Sequence, residues 1–299
     1  MLKVENVTKY YGDFLAVDNL SFTVKPGEIF GLLGVNGAGK TTTFRMIMGL
    51  LEMSSGSITL DDKKIDYSVT DKIGFLTEER SLLTKLTVKE QCIYYGTLKG
   101  MTEKKIIERL DFLLEKFQIS EYKEKKIKEL SKGNQQKIQF ITAIINEPKL
   151  LILDEPFSGL DPFNIELFKK EIVEMSKKGS MIIFSSHRMD HVELFCEKLI
   201  VLVKGSAVLQ GELKQIKESY RKKNIIVEGD INVDEVKKIK GVIDVNTMAT
   251  YYEVKIESKD VVEEVFKYIT TCKNITKFAV EEPSLNEIFI AKVGETYEK

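Results

Sequence analysis

The sequence predicts an α/β fold: a core of buried parallel strands, an N-terminal antiparallel β-subdomain, a helical subdomain, and a small C-terminal α+β domain. Three observations carry that expectation. The apolar run Glu28-Ile29-Phe30-Gly31-Leu32-Leu33 leads through a glycine-rich stretch into a segment with Phe44, Ile47, Met48 and Leu51 at helical spacing, which reads as strand, loop, helix. Two further runs, Leu150-Leu151-Ile152-Leu153 and Met181-Ile182-Ile183-Phe184, are apolar throughout, as strands covered on both faces are. Beyond residue 224, shorter strand-like and helix-like segments follow one another in the order of a split β-α-β unit.

Bulk properties set the frame. A chain of 299 residues has room for one large domain or two, and a net charge of −1 gives no electrostatic ground for a nucleic-acid partner. Lysines alternate with glutamates, as at Glu103, Lys104 and Lys105, the pattern of solvated helix faces. Cys92, Cys196 and Cys272 are odd in number and scattered, so neither a disulfide framework nor a zinc spacing is expected, in keeping with a reducing cytoplasm. The start Met1-Leu2-Lys3-Val4-Glu5 does not read as a signal peptide, and no apolar run is long enough to cross a bilayer. Any service to a membrane is therefore expected to pass through a partner.

Residues 2–24 read as a strand pair turned at Gly12 and Asp13, with Leu20, Phe22 and Val24 alternating with Ser21 and Thr23. Tyr10 and Tyr11 lie near that turn; by residue type alone they are ordinary sheet aromatics, although a ring there can stack on a base. Residues 34–42, Gly-Val-Asn-Gly-Ala-Gly-Lys-Thr-Thr, fill every fixed position of the G-x-x-x-x-G-K-[ST] pattern. Glycines let successive backbone N–H groups turn inward on phosphates, and the positive end of the following helix adds to them. Gly34, Asn36, Gly37, Ala38, Gly39, Lys40, Thr41 and Thr42 are thus the expected phosphate cradle, with Lys40 a point charge for the β and γ phosphates and Thr41 a ligand for Mg²⁺. The core is of the P-loop NTPase type, and the chain is expected to bind a nucleoside triphosphate.

A second hairpin is expected over 56–65, with Asp61, Asp62, Lys63 and Lys64 as its turn, then a short strand at Ile73-Gly74-Phe75-Leu76 running into a polar loop. From 87 to 149 the period is helical; Ile106, Leu110, Leu113, Leu114 and Phe117 share one face of a helix over 102–118. Ser131 caps a further helix that stops before Pro148. Asp154 and Glu155 stand at the C-terminal end of the aliphatic strand, where ligands bind in parallel sheets. The first carboxylate is placed to hold Mg²⁺ and the second to orient or deprotonate an attacking water.

Asp161 and Pro162 open the next helix as N-cap and first residue, and Gly179 closes it. His187 follows the next strand and His191 lies four residues on. That is metal spacing on a helix, but no third ligand is near. His187 fits better as a donor to a γ-phosphate, and His191 reads as a helix-surface residue. A hairpin around Lys204 and Gly205 and a charged helical stretch bring the nucleotide-binding domain (1–215) to a linker (216–223). The remaining domain (224–299) contains no motif with chemistry and is expected to serve folding or dimerisation.

The cradle, the pair Asp154 and Glu155, His187, and the run Leu130-Ser131-Lys132-Gly133-Asn134-Gln135-Gln136-Lys137 occur in an order that resembles the ATP-binding subunits of ABC transporters over residues 1–215. The resemblance implies ATP with Mg²⁺, held by Thr41, Glu78 and Asp154, and hydrolysed with Glu155 as base, Lys40 and His187 assisting at the γ-phosphate. It implies a head-to-tail pair of copies, each presenting Ser131, Lys132, Gly133 and Asn134 to the ATP of the other, with Asp161 in the loop between them. It places Tyr11 under adenine, reversing the reading from residue type. It also implies an integral membrane permease as partner, met through residues 80–100 at the cytoplasmic face. The C-terminal segment around Pro283 resembles the accessory domain of bacterial exporters of the sodium-extruding type.

Two departures from that family stand out. Glu78 occupies the place of a usual glutamine; a carboxylate coordinates Mg²⁺ but donates no amide hydrogen bond to water. Lys132 and Asn134 replace a glycine and a glutamine, while Ser131 and Gly133 remain. Two rival readings follow: a nucleotide-gated regulatory binder with little hydrolysis, which Glu78 permits, and a soluble ATPase of this fold acting on ribosomes or DNA. A GTPase would carry Asn-Lys-x-Asp, which the sequence lacks.

Overall fold

The computed structural model describes residues 1–66, 69–79, 81–220 and 222–297. Arg80, at the head of the segment expected to meet a membrane partner, and Arg221, in the expected linker, lie outside them. The chain forms two compact units, Met1–Gln210 and Gly211–Lys299.

The first unit opens with β1 (Leu2–Tyr11) and β2 (Phe14–Val24), then β3 (Ile29–Gly34) and α1 (Lys40–Ile47). Next come β4 (Ser55–Leu60), β5 (Lys63–Lys64), β6 (Ile73–Leu76), α2 (Val88–Leu98), α3 (Glu103–Lys116) and α4 (Lys132–Ile144). The unit continues through β7 (Leu150–Asp154), α5 (Pro162–Lys177), β8 (Met181–Ser186), α6 (Met189–Phe195), β9 (Lys198–Val203) and β10 (Ser206–Glu212). Strands β2-β1-β4-β5 make an antiparallel sheet, and β10-β9-β3-β8-β7-β6 make the core sheet, in which β9, β3, β8, β7 and β6 run parallel. Every residue of β3, β7 and β8 is buried, as unbroken apolar composition requires when both faces are covered. The two sheets share one core, and Phe22 stacks on Phe30 across them at 4.9 Å and 9°.

Two boundaries differ from expectation for local reasons. Helix α1 ends at Ile47 because Gly49 takes φ 70°, a conformation that stops a helix. In the second hairpin, Asp61 and Asp62 alone form the turn, both left-handed at φ 51° and 60°, while Lys63 and Lys64 pair in β5; a two-residue hairpin loop needs that conformation. One side chain is misplaced by the sequence reading. His191 is not on the surface but buried, its ring edge-on to Phe157 at 5.1 Å. Phe157, Phe184 and Phe195 form an aromatic cluster there, and the imidazole completes it.

The second unit contains α7 (Leu213–Ser219), β11 (Lys223–Asp230), α8 (Val233–Lys237), β12 (Val242–Thr247), β13 (Tyr252–Ile256), α9 (Val262–Ile269), β14 (Lys273–Glu281) and α10 (Leu285–Tyr297). Its strands lie in the order β12-β13-β11-β14, antiparallel throughout, which is the split β-α-β arrangement. Ile225, Val227, Val254 and Ile256 pack against Val236, Val265 and Ile269 of the helices. Ile216 of α7 and Lys223 of β11 are buried, so the stretch expected as linker contributes ordered structure here.

Candidate functional site

The parallel register decides which residues meet. β8 lies between β3 and β7, with Leu33 opposite Ser186 and Asp154 opposite Ser185. The C-terminal ends of the three strands therefore form one edge, and the loops leaving them share it. Two glycines of the stretch that leaves β3 are sterically required. A Cβ on Gly34 (φ 150°) would lie 2.5 Å from the Leu202 carbonyl oxygen, and one on Gly39 (φ 104°) 2.7 Å from that of Ala16. Gly39 caps α1 without a side-chain hydrogen bond, and the first turn carries no acidic residue. The N–H groups and positive dipole end of α1 are thus left for an anion. Lys40 is buried and donates from Nζ to the Gly34 carbonyl at 2.7 Å and the Val35 carbonyl at 3.3 Å.

This loop faces a cavity of about 410 Å³ lined by Tyr11, Phe14, Ala16, Asn36, Gly37, Ala38, Gly39, Lys40, Thr41, Thr42, Glu78, Asp154 and Glu155. Its lining combines two aromatic rings with three carboxylates. Phe14 is a lining residue that sequence reading missed. Its signal was its place opposite Tyr11 across the Gly12 and Asp13 turn, which puts both rings at the hairpin tip, exposed at 46% for Tyr11 and 65% for Phe14.

The carboxylates are held from β8. Ser185 Oγ donates to Asp154 Oδ1 at 2.5 Å. Burial pushes the Asp154 carboxyl above its usual range against that hydrogen bond, and the charge of Glu78 adds to the push while Lys40 opposes it. Glu155 takes a left-handed φ of 50°. Its N–H donates to the Ser185 carbonyl at 3.3 Å, and its Oε1 accepts from the His187 backbone N–H at 2.6 Å. Nδ1 of the exposed His187 ring is 2.8 Å from the same oxygen. Ser185 and Ser186, which hold the two carboxylates, were not singled out in the sequence, because their role depends on strand neighbours far along the chain.

The oxygen set of Thr41, Glu78 and Asp154 suits a hard cation. Among the described residues no three acidic, histidine or cysteine side chains form a ready-made metal cage. Two carboxylates and a hydroxyl are donors of the kind Mg²⁺ takes together with substrate phosphates. A buried carboxylate destabilised by its neighbours fits it too.

Ser131, Lys132, Gly133, Asn134 and Asp161 do not line this cavity. Ser131 N-caps α4, accepting from the Asn134 N–H at 3.3 Å, and Ser131 and Lys132 are exposed. Asp161 N-caps α5, accepting from the Asn164 N–H at 2.9 Å.

With this geometry in view, the comparisons with known proteins are specific. The family model for the ABC transporter matches residues 17–158, and that for the ATP-binding protein DrrA1-3-like C-terminal domain matches residues 211–293. YhaQ of Bacillus subtilis (strain 168), an uncharacterized ABC transporter ATP-binding protein, is 48% identical over 298 residues, covering 100% of both chains. The linearmycin resistance ATP-binding protein LnrL of the same organism is 32% identical over 309 residues, covering 99% of each. Among solved structures, a dimeric ATP-binding cassette in a post-hydrolysis state bound to ADP and Pi superposes with a TM-score of 0.66 at 25% identity, over 71% of this chain and 99% of that one. Similarity along the whole chain identifies the protein as an ATPase of the ABC transporter family, an ATP-binding subunit with a DrrA-like C-terminal domain.

Proposed function

We propose that two copies of this subunit close head to tail around ATP, hydrolyse it, and by reopening drive a separate integral membrane permease that exports its substrate. The observation that carries the reading is the division of parts: one cavity gathers Lys40, Thr41, Asp154 and Glu155, while the exposed N-terminus of α4 at Ser131 lies outside it. A helix N-terminus with free N–H groups is a ready partner for a second copy's γ-phosphate. In this reading Tyr11 and Phe14 stack on the base. The loop from Gly34 through Asn36, Gly37, Ala38 and Gly39 to Thr42 wraps the phosphates, and Lys40 offsets their charge. Bound Mg²⁺, held by Thr41, Glu78 and Asp154, supplies charge neutralisation at the β and γ oxygens. Glu155, fixed by the His187 N–H and Ser186, accepts a proton from the attacking water, and His187 reports the γ-phosphate. Asp161 lies in the loop between copies. Closed and open states differ in affinity for ATP and ADP, which is what lets hydrolysis do mechanical work.

Two features support a permease at the cytoplasmic face of the membrane. Among the described residues no helix is long and apolar enough to cross a bilayer. A mainly apolar groove of about 300 Å³ lies among Leu50, Phe75, Leu82, Tyr95 and Ala143, beside exposed Leu83, Tyr94 and Leu98. Export is favoured by likeness to LnrL, whose name records resistance to a compound. Residues 1–215 serve as the ATP-binding domain, with 87–149 the helical subdomain, and 224–299 as the accessory domain.

The test is Glu155→Gln, which keeps shape and removes the base. It is expected to bind ATP, turn it over at least about a hundredfold more slowly, and run as a dimer on gel filtration with ATP. Only monomer under those conditions would sink the clamp. Glu78 favours a second reading, a nucleotide-gated binder with slow hydrolysis. Turnover that stays negligible with the permease present would select it.

A further inference from the structure

Helix α4 does more than present Ser131. Its two buried glutamines, Gln136 and Gln139, lie one turn apart and both reach back to loops that carry cavity carboxylates. Gln136 Nε2 donates to the Pro156 carbonyl at 3.2 Å, immediately after Glu155. Gln139 Nε2 lies 3.0 Å from the Thr77 carbonyl, 2.9 Å from Thr77 Oγ1 and 3.3 Å from the Glu79 carbonyl. Thr77 Oγ1 in turn donates to the Glu79 carbonyl. The residues on either side of Glu78 are therefore tied to one amide. The last pairing of β6 with its neighbour is at Leu76, so this tie takes over where the sheet ends.

The orientation of that amide is itself informative. Gln139 is 4% exposed, and its Oε1 is buried without a hydrogen-bond partner among the described residues. A side chain serving packing alone has no need of a polar group here, and a buried acceptor left empty is costly. The amide has its donors on the Thr77 to Glu79 segment and, among the described residues, nothing on its acceptor.

We infer that Gln139 is a positioning residue: it fixes Glu78 at the metal side of the cavity by fastening the Glu78 segment to the helix that begins at Ser131. The inference rests on the reading of Glu78 as a Mg²⁺ ligand. Glu78 is exposed, so the place its carboxylate can reach is set by where the flanking Thr77 and Glu79 backbone is held. Because α4 is one rigid element of 13 residues, the same helix then sets both the carboxylate of its own cavity and the serine offered to a second copy.

The experiment titrates Mg²⁺ against the full-length protein in the presence of a fluorescent ATP analogue and reads binding, not turnover. Glu78→Gln, which exchanges a charged oxygen ligand for a neutral one, is expected to raise the Mg²⁺ concentration at half-maximal binding by about tenfold, the scale on which a perturbed ligand set weakens a metal site. Gln139→Met, similar in size and without donors, is expected to raise it by a comparable factor with the thermal midpoint retained. In the Glu78→Gln background Gln139→Met should add nothing. Should Gln139→Met fail to fold, Thr77→Val removes the shared hydroxyl and carries the same expectation. An unchanged Mg²⁺ requirement in a folded Gln139→Met, or shifts that multiply in the double variant, overturns the positioning role and leaves the metal reading standing. No shift from Glu78→Gln alone overturns both. Wild-type protein that binds the analogue without regard to Mg²⁺ would overturn the underlying functional reading itself.

Discussion

At the scale of single residues, Lys40 shows how much of this site is set by chemistry that neighbours in sequence can supply. Its ammonium is held by the carbonyls of Gly34 and Val35, a few residues back in the same loop. On the proposed reading Lys40→Ala removes a charge-assisted contact to phosphate, and the Kd for ATP is expected to rise by about ten- to a hundredfold, measured by calorimetry on the full chain. His191 shows the opposite case. Nothing within a few residues announces its burial; Phe157 and the ring cluster reach it through the fold. Burial lowers its pKa, with Arg188 acting in the same direction and Asp190 against it. The unfolded chain takes up a proton near the ordinary value of 6.5, while the folded imidazole stays neutral until lower pH. Stability therefore falls as pH drops through about 6.5, and His191→Leu is expected to flatten that decline in a thermal-melting series from pH 7.5 to 5.5. The strand, glycine loop and helix were legible in the sequence because backbone conformation and a helix N-terminus are local. Phe14, Ser185 and Gln139 were not, because each acts across a tertiary contact.

At the scale of elements, the apolar period located the helices and the unbroken apolar runs located the buried strands. Ile106, Leu110, Leu113 and Leu114 of α3 are all buried, as their spacing requires. The order of strands was not readable: β3 pairs with β8 and β9, partners set by the whole core and not by any short stretch. One contact between elements is tight enough to test. A Cβ on Gly74 of β6 would lie 2.3 Å from the Ala143 carbonyl oxygen of α4. Gly74→Ala must push the helix off the strand, and overpacking of this kind costs about 1–3 kcal/mol, to be read from the urea midpoint. Ser131→Ala tests the other end of α4. Loss of the cap costs about 1 kcal/mol, but turnover should fall much further than stability, with ATP binding to an isolated copy unchanged, if the serine acts on a second copy's nucleotide. Equal loss of binding and turnover would place its role within one subunit.

For the molecule as a whole, all residues lining the nucleotide cavity belong to the first compact unit. A chain ended after Glu212, the last residue of β10, is expected to bind ATP with a Kd within about twofold of the full chain, since no cavity contact is lost. A larger change would assign the DrrA-like unit a part in nucleotide affinity. The split β-α-β order of that unit was legible from its segment sequence. The two compact units divide between Gln210 and Gly211, and α7 buries Ile216, an apolar side chain that the polar composition around it conceals. The stack of Phe22 on Phe30 carries a last consequence. It rivets the hairpin bearing Tyr11 and Phe14 to the strand that feeds the glycine loop, and at Gly39 the same hairpin touches the loop through the Ala16 carbonyl. On the proposed reading the span from ring tip to lysine would act as a caliper that tells molecules apart by length. Adenosine would fill only one jaw and inorganic triphosphate only the other, so neither alone should compete well with ATP.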